Sequence, residues 1–317
     1  MNARVLPTSR LPGVVSVLSV VIATVLLATS VAGLSFGTRG LYRPDPATLP
    51  TFLGQDALSL VVGLPLLIGS MRLARRGSLR GLLLWAGALF YFAYSYSFYV
   101  LSPEFNALYV AYLAIVSMSL YGLLALLFSV DADAVKARFA ARTPVHLIGG
   151  FMMFMALLLG VKWVGGILGA LQAGVTPAHK DIVVWALDLV VALPALFWAG
   201  AWLWRKQPLG FVVAGLMLLK AAFVGITLVV DSYLVTLWGE PLDPMLPAYA
   251  VIGLGGLAFL VVYLRAVLPI SSPAQAEAVP PRACFMRVQS AFNPSKPSSR
   301  RCWRPKRHSS WKACWGS

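Results

Sequence analysis

Apolar residues run along this chain in long unbroken stretches, separated by short clusters of charge, proline and glycine. The stretches lack the two-residue alternation of a spanning β-strand, so each reads as a helix. Bounding them by their flanking charge or Pro/Gly clusters predicts helices near 14–36, 57–71, 81–101, 107–129, 145–170, 183–204, 209–230 and 247–268. Most approach the ~20 residues needed to cross a ~30 Å hydrocarbon core. The second run is short, but Gln55 and Asp56 before it and the arginines after it mark two interfaces, and snorkelling arginines extend its reach. The expected fold is therefore an all-α polytopic transmembrane bundle of about eight helices over residues 1–269. Residues 270–317, rich in Ser, Pro, Arg and Lys and without helical or strand period, read as a disordered tail.

Composition excludes a water-soluble domain. Of the 317 residues, 59% are hydrophobic and 12% charged, against about 25% charged in soluble proteins. Mean hydropathy is +0.79. A net charge of +15 on one soluble face would suggest nucleic acid, but the basic residues sit in short loops and the tail, so no nucleic-acid partner is expected. Arg4 and Arg10, the RLARRGSLR segment (Arg72, Arg75, Arg76, Arg80), Lys136, Arg138 and Arg142, Arg205 and Lys206, and the tail fall on one side. Arg39, Arg43 and Lys180, with Asp45, Glu104, Asp231, Glu240 and Asp243, fall on the other. The positive-inside rule then puts both termini in the cytoplasm. The basic start and the small residues of ATSVAG also fit a secretory signal, but an apolar run of some twenty residues favours a retained helix over a 7–15-residue signal core.

The tail carries Trp303, Trp311 and Trp315 and every cysteine of the chain, Cys284, Cys302 and Cys314. Their spacing fits neither a zinc site nor a disulfide framework. Polybasic, tryptophan-bearing cytoplasmic sequence suits contact with anionic lipid headgroups, at about 1 kcal/mol per basic residue. A shifted reading frame at the gene's end would produce the same abrupt change.

Displacing the sequence on itself by 129 residues lays Leu64-Pro65 on Leu193-Pro194, Leu67 on Leu196, Arg76 on Arg205 and Gly81 on Gly210. Each set describes a proline-containing helix that descends to a basic turn and returns at a glycine, as in a parallel repeat of four helices plus four. Two ordinary proline-containing helices with basic loops would give the same matches.

Ionisable groups within spans cost about 2.5–3.5 kcal/mol at the centre on insertion scales and call for a partner or a wet cavity. Lys220 lies mid-span, about 15 Å from either end at the helical rise. Asp188 belongs to the preceding helix, joined to it by a tight turn, so the two residues are candidates for an intramembrane pair. Such a pair serves either as a gate in a proton- or substrate-linked path or as a static bridge. Lys162 precedes Trp163 near a helix end and reads as a snorkelling lysine. Asp56 and Asp181 stand at helix entrances, where the helix dipole favours a carboxylate; they do not align at the 129-residue offset. Tyr91, Tyr94, Tyr96 and Tyr99, followed by Tyr109 and Tyr112, exceed what an interfacial aromatic belt needs. They read as helix packing or as the lining of an outward-facing cavity.

No HExxH, GxSxG or Walker-type glycine loop is present, and His146, His179 and His308 are far apart in sequence. No metal, cofactor or catalytic residue is expected. Met152, Met153 and Met155 read as packing rather than as copper ligands, since they do not share one face.

Residues 55–100, QDALSLVVGLPLLIGSMRLARRGSLRGLLLWAGALFYFAYSYSFYV, resemble a group of bacterial multi-pass integral membrane proteins to which no activity attaches. LWRKQPLGFVVAGLMLLK adds to the likeness. The resemblance implies a helical fold in a bacterial plasma membrane and transfers no activity or site residue. The functional expectation is a transporter-like or ligand-sensing protein for a small molecule or ion. The alternatives are an intramembrane enzyme acting on a lipid-linked substrate and an accessory subunit.

Overall fold

Backbone amides in a long apolar run have no water to bond and must satisfy one another, which favours a helix along each run. The computed structural model describes residues 13–42, 49–101, 105–237, 239 and 241–268. Among them, helices α1 (Gly13–Phe36), α2 (Leu49–Leu58), α3 (Leu64–Arg75), α4 (Leu79–Leu101), α5 (Tyr109–Ser129), α6 (Ala132–Lys136), α7 (Val145–Ala173), α8 (His179–Leu187), α9 (Leu193–Trp204), α10 (Pro208–Thr236) and α11 (Leu246–Arg265) follow in order. No strand occurs among these residues. With α2–α3 and α8–α9 each continuous through a wide turn, eight helices are long and apolar enough to cross a membrane. The fold is an all-α polytopic bundle. The tail at 270–317, with its expected lipid contact, lies outside the described residues.

The second span begins at Leu49, eight residues earlier than the sequence reading placed it. Gln55 and Asp56 do not mark an interface; both are buried within the span, Gln55 bonded to Tyr91 of α4 and Asp56 to Tyr42 of the loop after α1. The seventh runs on to Thr236, carrying Asp231 into the bundle instead of leaving it in a loop. In both cases polar residues lie inside a span, since side chains buried within the bundle need not end it.

The 129-residue correspondence extends to the backbone. Each proline-bearing span contains one π turn, Ser59–Gly63 in one and Asp188–Ala192 in the other, offset by the same 129 residues. The Leu64 amide bonds the Ser59 carbonyl, and the Leu193 amide bonds the Asp188 carbonyl, five residues back. A proline ring crowds the carbonyl four residues before it and supplies no N–H, so a locally widened turn accommodates Pro65 and Pro194. After each span the chain turns through an arginine and re-enters at a glycine. A Cβ on Gly81 would stand 2.6 Å from the Ala74 amide nitrogen, and one on Gly210 would strike the equivalent Leu203 nitrogen. Only glycine permits that approach of turn to helix.

The two halves meet through α4 and α10, the most buried spans of the bundle. Leu219 covers Gly87, and Leu83 sits against Gly215. On the side bearing the arginine-rich turn, here the basic side, the segment after α6 clasps the end of α11. Ala140 N–H donates to the Ala266 carbonyl at 3.0 Å and Leu268 N–H to the Arg138 carbonyl at 2.9 Å. Arg80 Nη2 adds a bond to the Val267 carbonyl at 2.9 Å. Burial pushes the Arg138 guanidinium below its usual range.

The halves differ where their outer helices meet. α1 packs along α5, and both bury residues over their whole length. Their counterparts α7 and α11 touch near the basic side, where Phe151 and Phe259 pack in a tilted contact with ring centroids 4.6 Å apart. α7 buries nothing beyond Ala156, and α11 buries nothing before Gly253. Toward the opposite side the two helices part.

Candidate functional site

Asp188 opens the second π turn, and side chains from three other spans converge on its carboxylate. Tyr94 of α4 donates its hydroxyl to Oδ1 at 2.5 Å. Trp163 of α7 donates Nε1–H to Oδ2 at 2.9 Å. Lys220 of α10 stands with Nζ 3.7 Å from Oδ1 and 3.9 Å from the centroid of the Tyr94 ring. The last two contacts are ion-pair and cation–π contacts rather than hydrogen bonds. Asp188 and Lys220 are 7% and 9% exposed, and both line a cavity of ≈ 60 Å³ between α7, α9, α10 and α11. That space accommodates several waters, each needing about 10–15 Å³. Its other walls are apolar, among them Phe151, Met155, Leu193, Val224 and Ile252, with Tyr249 at the α11 end.

The equivalent place in the first half is built from neutral groups. At the 129-residue offset Asp188 corresponds to Ser59, Lys220 to Tyr91 and Tyr94 to Phe223. Gln55 Nε2–H bonds the Ser59 hydroxyl at 3.2 Å and the Tyr91 hydroxyl at 3.0 Å. The contacts between the two halves also correspond. Tyr94 reaches from the first half to Lys220 in the second, and Phe223 reaches back to Tyr91, with ring centroids 5.0 Å apart. One backbone plan thus carries an ion pair in one half and an uncharged hydrogen-bonded set in the other.

The tyrosines fall into two groups. Tyr96, Tyr99 and Tyr112 are buried and packed ring against ring, Tyr96 stacked on Tyr99 and Tyr112 tilted against both, and Phe52 and then Tyr42 join through Tyr99. Tyr91 belongs to the Gln55 set, and Tyr109 is half-buried with its hydroxyl on the Val100 carbonyl at 3.2 Å. Of the six tyrosines named from sequence, Tyr94 alone touches the ion pair, and none is among the residues lining the cavity.

Asp56 is not a helix-entrance carboxylate. It is the eighth residue of α2, 1% exposed, and its Oδ2 accepts the Tyr42 hydroxyl at 2.6 Å. Burial first, then the Asp56 carboxylate, pushes the Tyr42 phenol far above its usual range. Asp181 does sit in the first turn of α8. Lys162 folds over the Trp163 ring, 4.0 Å from its centroid.

Sequence reasoning passed over three residues. Trp163 holds Asp188, and in the sequence it serves only to place Lys162 near a helix end. Tyr42 holds Asp56 from the loop after α1. Asp231 lies buried in α10, its Oδ1 without a hydrogen-bond partner and facing Gly54; its place inside the unbroken run ITLVVDSYLVTL was the available signal. Among the described residues no group of three or more His, Cys, Asp or Glu is arranged to hold a metal ion. No protein-family model, curated protein or solved structure matches this chain.

Proposed function

We propose that the chain is a transporter-like or ligand-sensing protein that binds a small molecule or ion at the Lys220–Asp188 pair, in a bacterial plasma membrane with both termini in the cytoplasm. The supporting observation is the asymmetry of the halves. The backbone plan is satisfied in the first half by Ser59, Gln55 and Tyr91, so the fold does not require charge at these positions. The second half nevertheless carries a lysine and an aspartate, each costing about 2.5–3.5 kcal/mol at mid-span, and sets them beside a cavity. Costly charge next to open space, where a neutral arrangement of the same backbone exists, fits a binding site better than a structural bridge.

An enzyme acting through Asp56, Asp181 and the tyrosines has less in its favour. Asp56 is closed beneath Tyr42, and Asp181 belongs to the other half of the chain. The test is flux and ligand-induced thermal stabilisation of purified protein in proteoliposomes, across a panel of ions and small metabolites. Wild type should respond to at least one compound and Lys220→Met should not. Folded protein that shows neither flux nor stabilisation across the panel overturns the proposal.

A further inference from the structure

The cavity's shape and donors narrow the ligand class, an inference that rests on the binding reading above. We infer that the site takes an amphipathic monocarboxylate, with its carboxylate on Lys220 and its apolar body lying sideways between α7 and α11 toward the lipid. Three observations lead there.

Among the described residues the ammonium of Lys220 makes no polar contact shorter than its 3.7 Å approach to Asp188, so its N–H groups have room for an acceptor. Asp188 does not depend on the lysine, because Tyr94 and Trp163 already occupy both of its oxygens. An incoming anion can therefore bind Lys220 while Asp188 stays held.

The walls beyond the ion pair are apolar, and the two helices flanking them part on the side away from the basic turns. Beyond Ala156 α7 has no fully buried residue, and α11 has none before Gly253, although Leu159 and Trp163 of α7 and Tyr249 and Ile252 of α11 line the cavity there. In the first half the corresponding helices α1 and α5 close against each other. The opening thus faces the side of the bundle, where an aliphatic chain lies within the bilayer.

The size of the polar end selects the headgroup. A space of ≈ 60 Å³ beside one lysine and no arginine suits a carboxylate. A phosphate diester brings a larger head, and a dianion would stand beside Asp188 with only one cation to balance it.

The probes are a long-chain fatty acid brominated near its carboxyl end, the matching brominated alcohol and 4-bromobutyrate. Each is added to full-length protein in zwitterionic nanodiscs, and the signal is quenching of the Trp163 fluorescence, taken as wild type minus Trp163→Phe. Saturable quenching by the long-chain acid is expected, at least tenfold weaker with the alcohol or with 4-bromobutyrate. Lys220→Met should weaken the acid at least tenfold, and Asp188→Asn, which removes the competing carboxylate, should tighten it. Leu159→Phe, which fills the cavity without adding a tryptophan to the signal, should abolish the saturable component. Equal quenching by acid and alcohol overturns the assignment of the headgroup to Lys220. Equal binding of 4-bromobutyrate overturns the lateral chain site but leaves a small-molecule site at Lys220 standing. Absence of saturable quenching by every probe overturns this inference alone if the metabolite panel still finds a ligand, and both readings if it does not.

Discussion

Asp188 shows how a single carboxylate is made tolerable in a hydrocarbon setting, and which of its partners matters to folding. Two neutral donors at 2.5 and 2.9 Å share its charge, while Lys220 stands farther off at 3.7 Å. A hydrogen bond to a charged group contributes about 1.5–3 kcal/mol, so Tyr94→Phe should lower stability by that amount. Lys220→Met should cost less than Tyr94→Phe, because it removes a buried ammonium and leaves both short bonds intact. Thermal melts in detergent of the two variants, Asp188→Asn and the Lys220→Met/Asp188→Asn double variant check the ranking. If both single changes at the pair were strongly destabilising and the double recovered the loss, the pair would be a structural bridge. Tyr42 offers a second residue-scale test, through pH. Its phenol is pushed above its ordinary value of 10.0 in the folded protein, whereas in the unfolded chain it ionises near that value. Its contribution is then complete below about pH 10 and is lost as pH rises beyond it. Melting temperature should fall above pH 10, and fall less steeply in Tyr42→Phe.

Elements fare differently from residues. The spans themselves were legible because continuous apolar sequence leaves the backbone no other arrangement. The π turns were not, although Leu64-Pro65 and Leu193-Pro194 marked their places; a proline shows where a helix must adjust, not whether it kinks, widens or ends. The start of the second span was obscured because Gln55 and Asp56 look like interface residues until Tyr91 and Tyr42 are seen to bond them. Lys220 and Asp188 could be paired from sequence because a tight turn joins their helices. Trp163 and Tyr94 come from α7 and α4, and no local pattern joins those positions to Asp188. The glycines at the two re-entry turns make the element-scale prediction. Gly81→Ala and Gly210→Ala each drive a Cβ into the backbone of the preceding span, an overpacking that costs about 1–3 kcal/mol. The two losses should be similar, since the turns are equivalent. Melts that left either variant unchanged would mean that its turn has slack.

At the scale of the whole molecule, the repeat decides what the topology can be. Two halves of four spans each must run in the same direction, so equivalent loops emerge on the same side, whereas an inverted repeat would put them on opposite sides. Ser78 and Gln207 are equivalent at the 129-residue offset and precede α4 and α10 in the two basic turns. Replacing Cys284, Cys302 and Cys314 by serine and introducing one cysteine at a time at Ser78 or Gln207 keeps every lysine and arginine in place. Val175 and Leu237, both exposed, lie beyond the opposite ends of α7 and α10 and serve as the contrasting pair. A membrane-impermeant maleimide applied to spheroplasts should label Val175→Cys and Leu237→Cys at once, and Ser78→Cys and Gln207→Cys only after permeabilisation. The reverse pattern would keep the parallel repeat and overturn the cytoplasmic assignment of the basic turns. Ser78→Cys and Gln207→Cys labelling from opposite sides would contradict the repeat itself. With it would go the comparison of Lys220 with Tyr91, on which the functional reading rests.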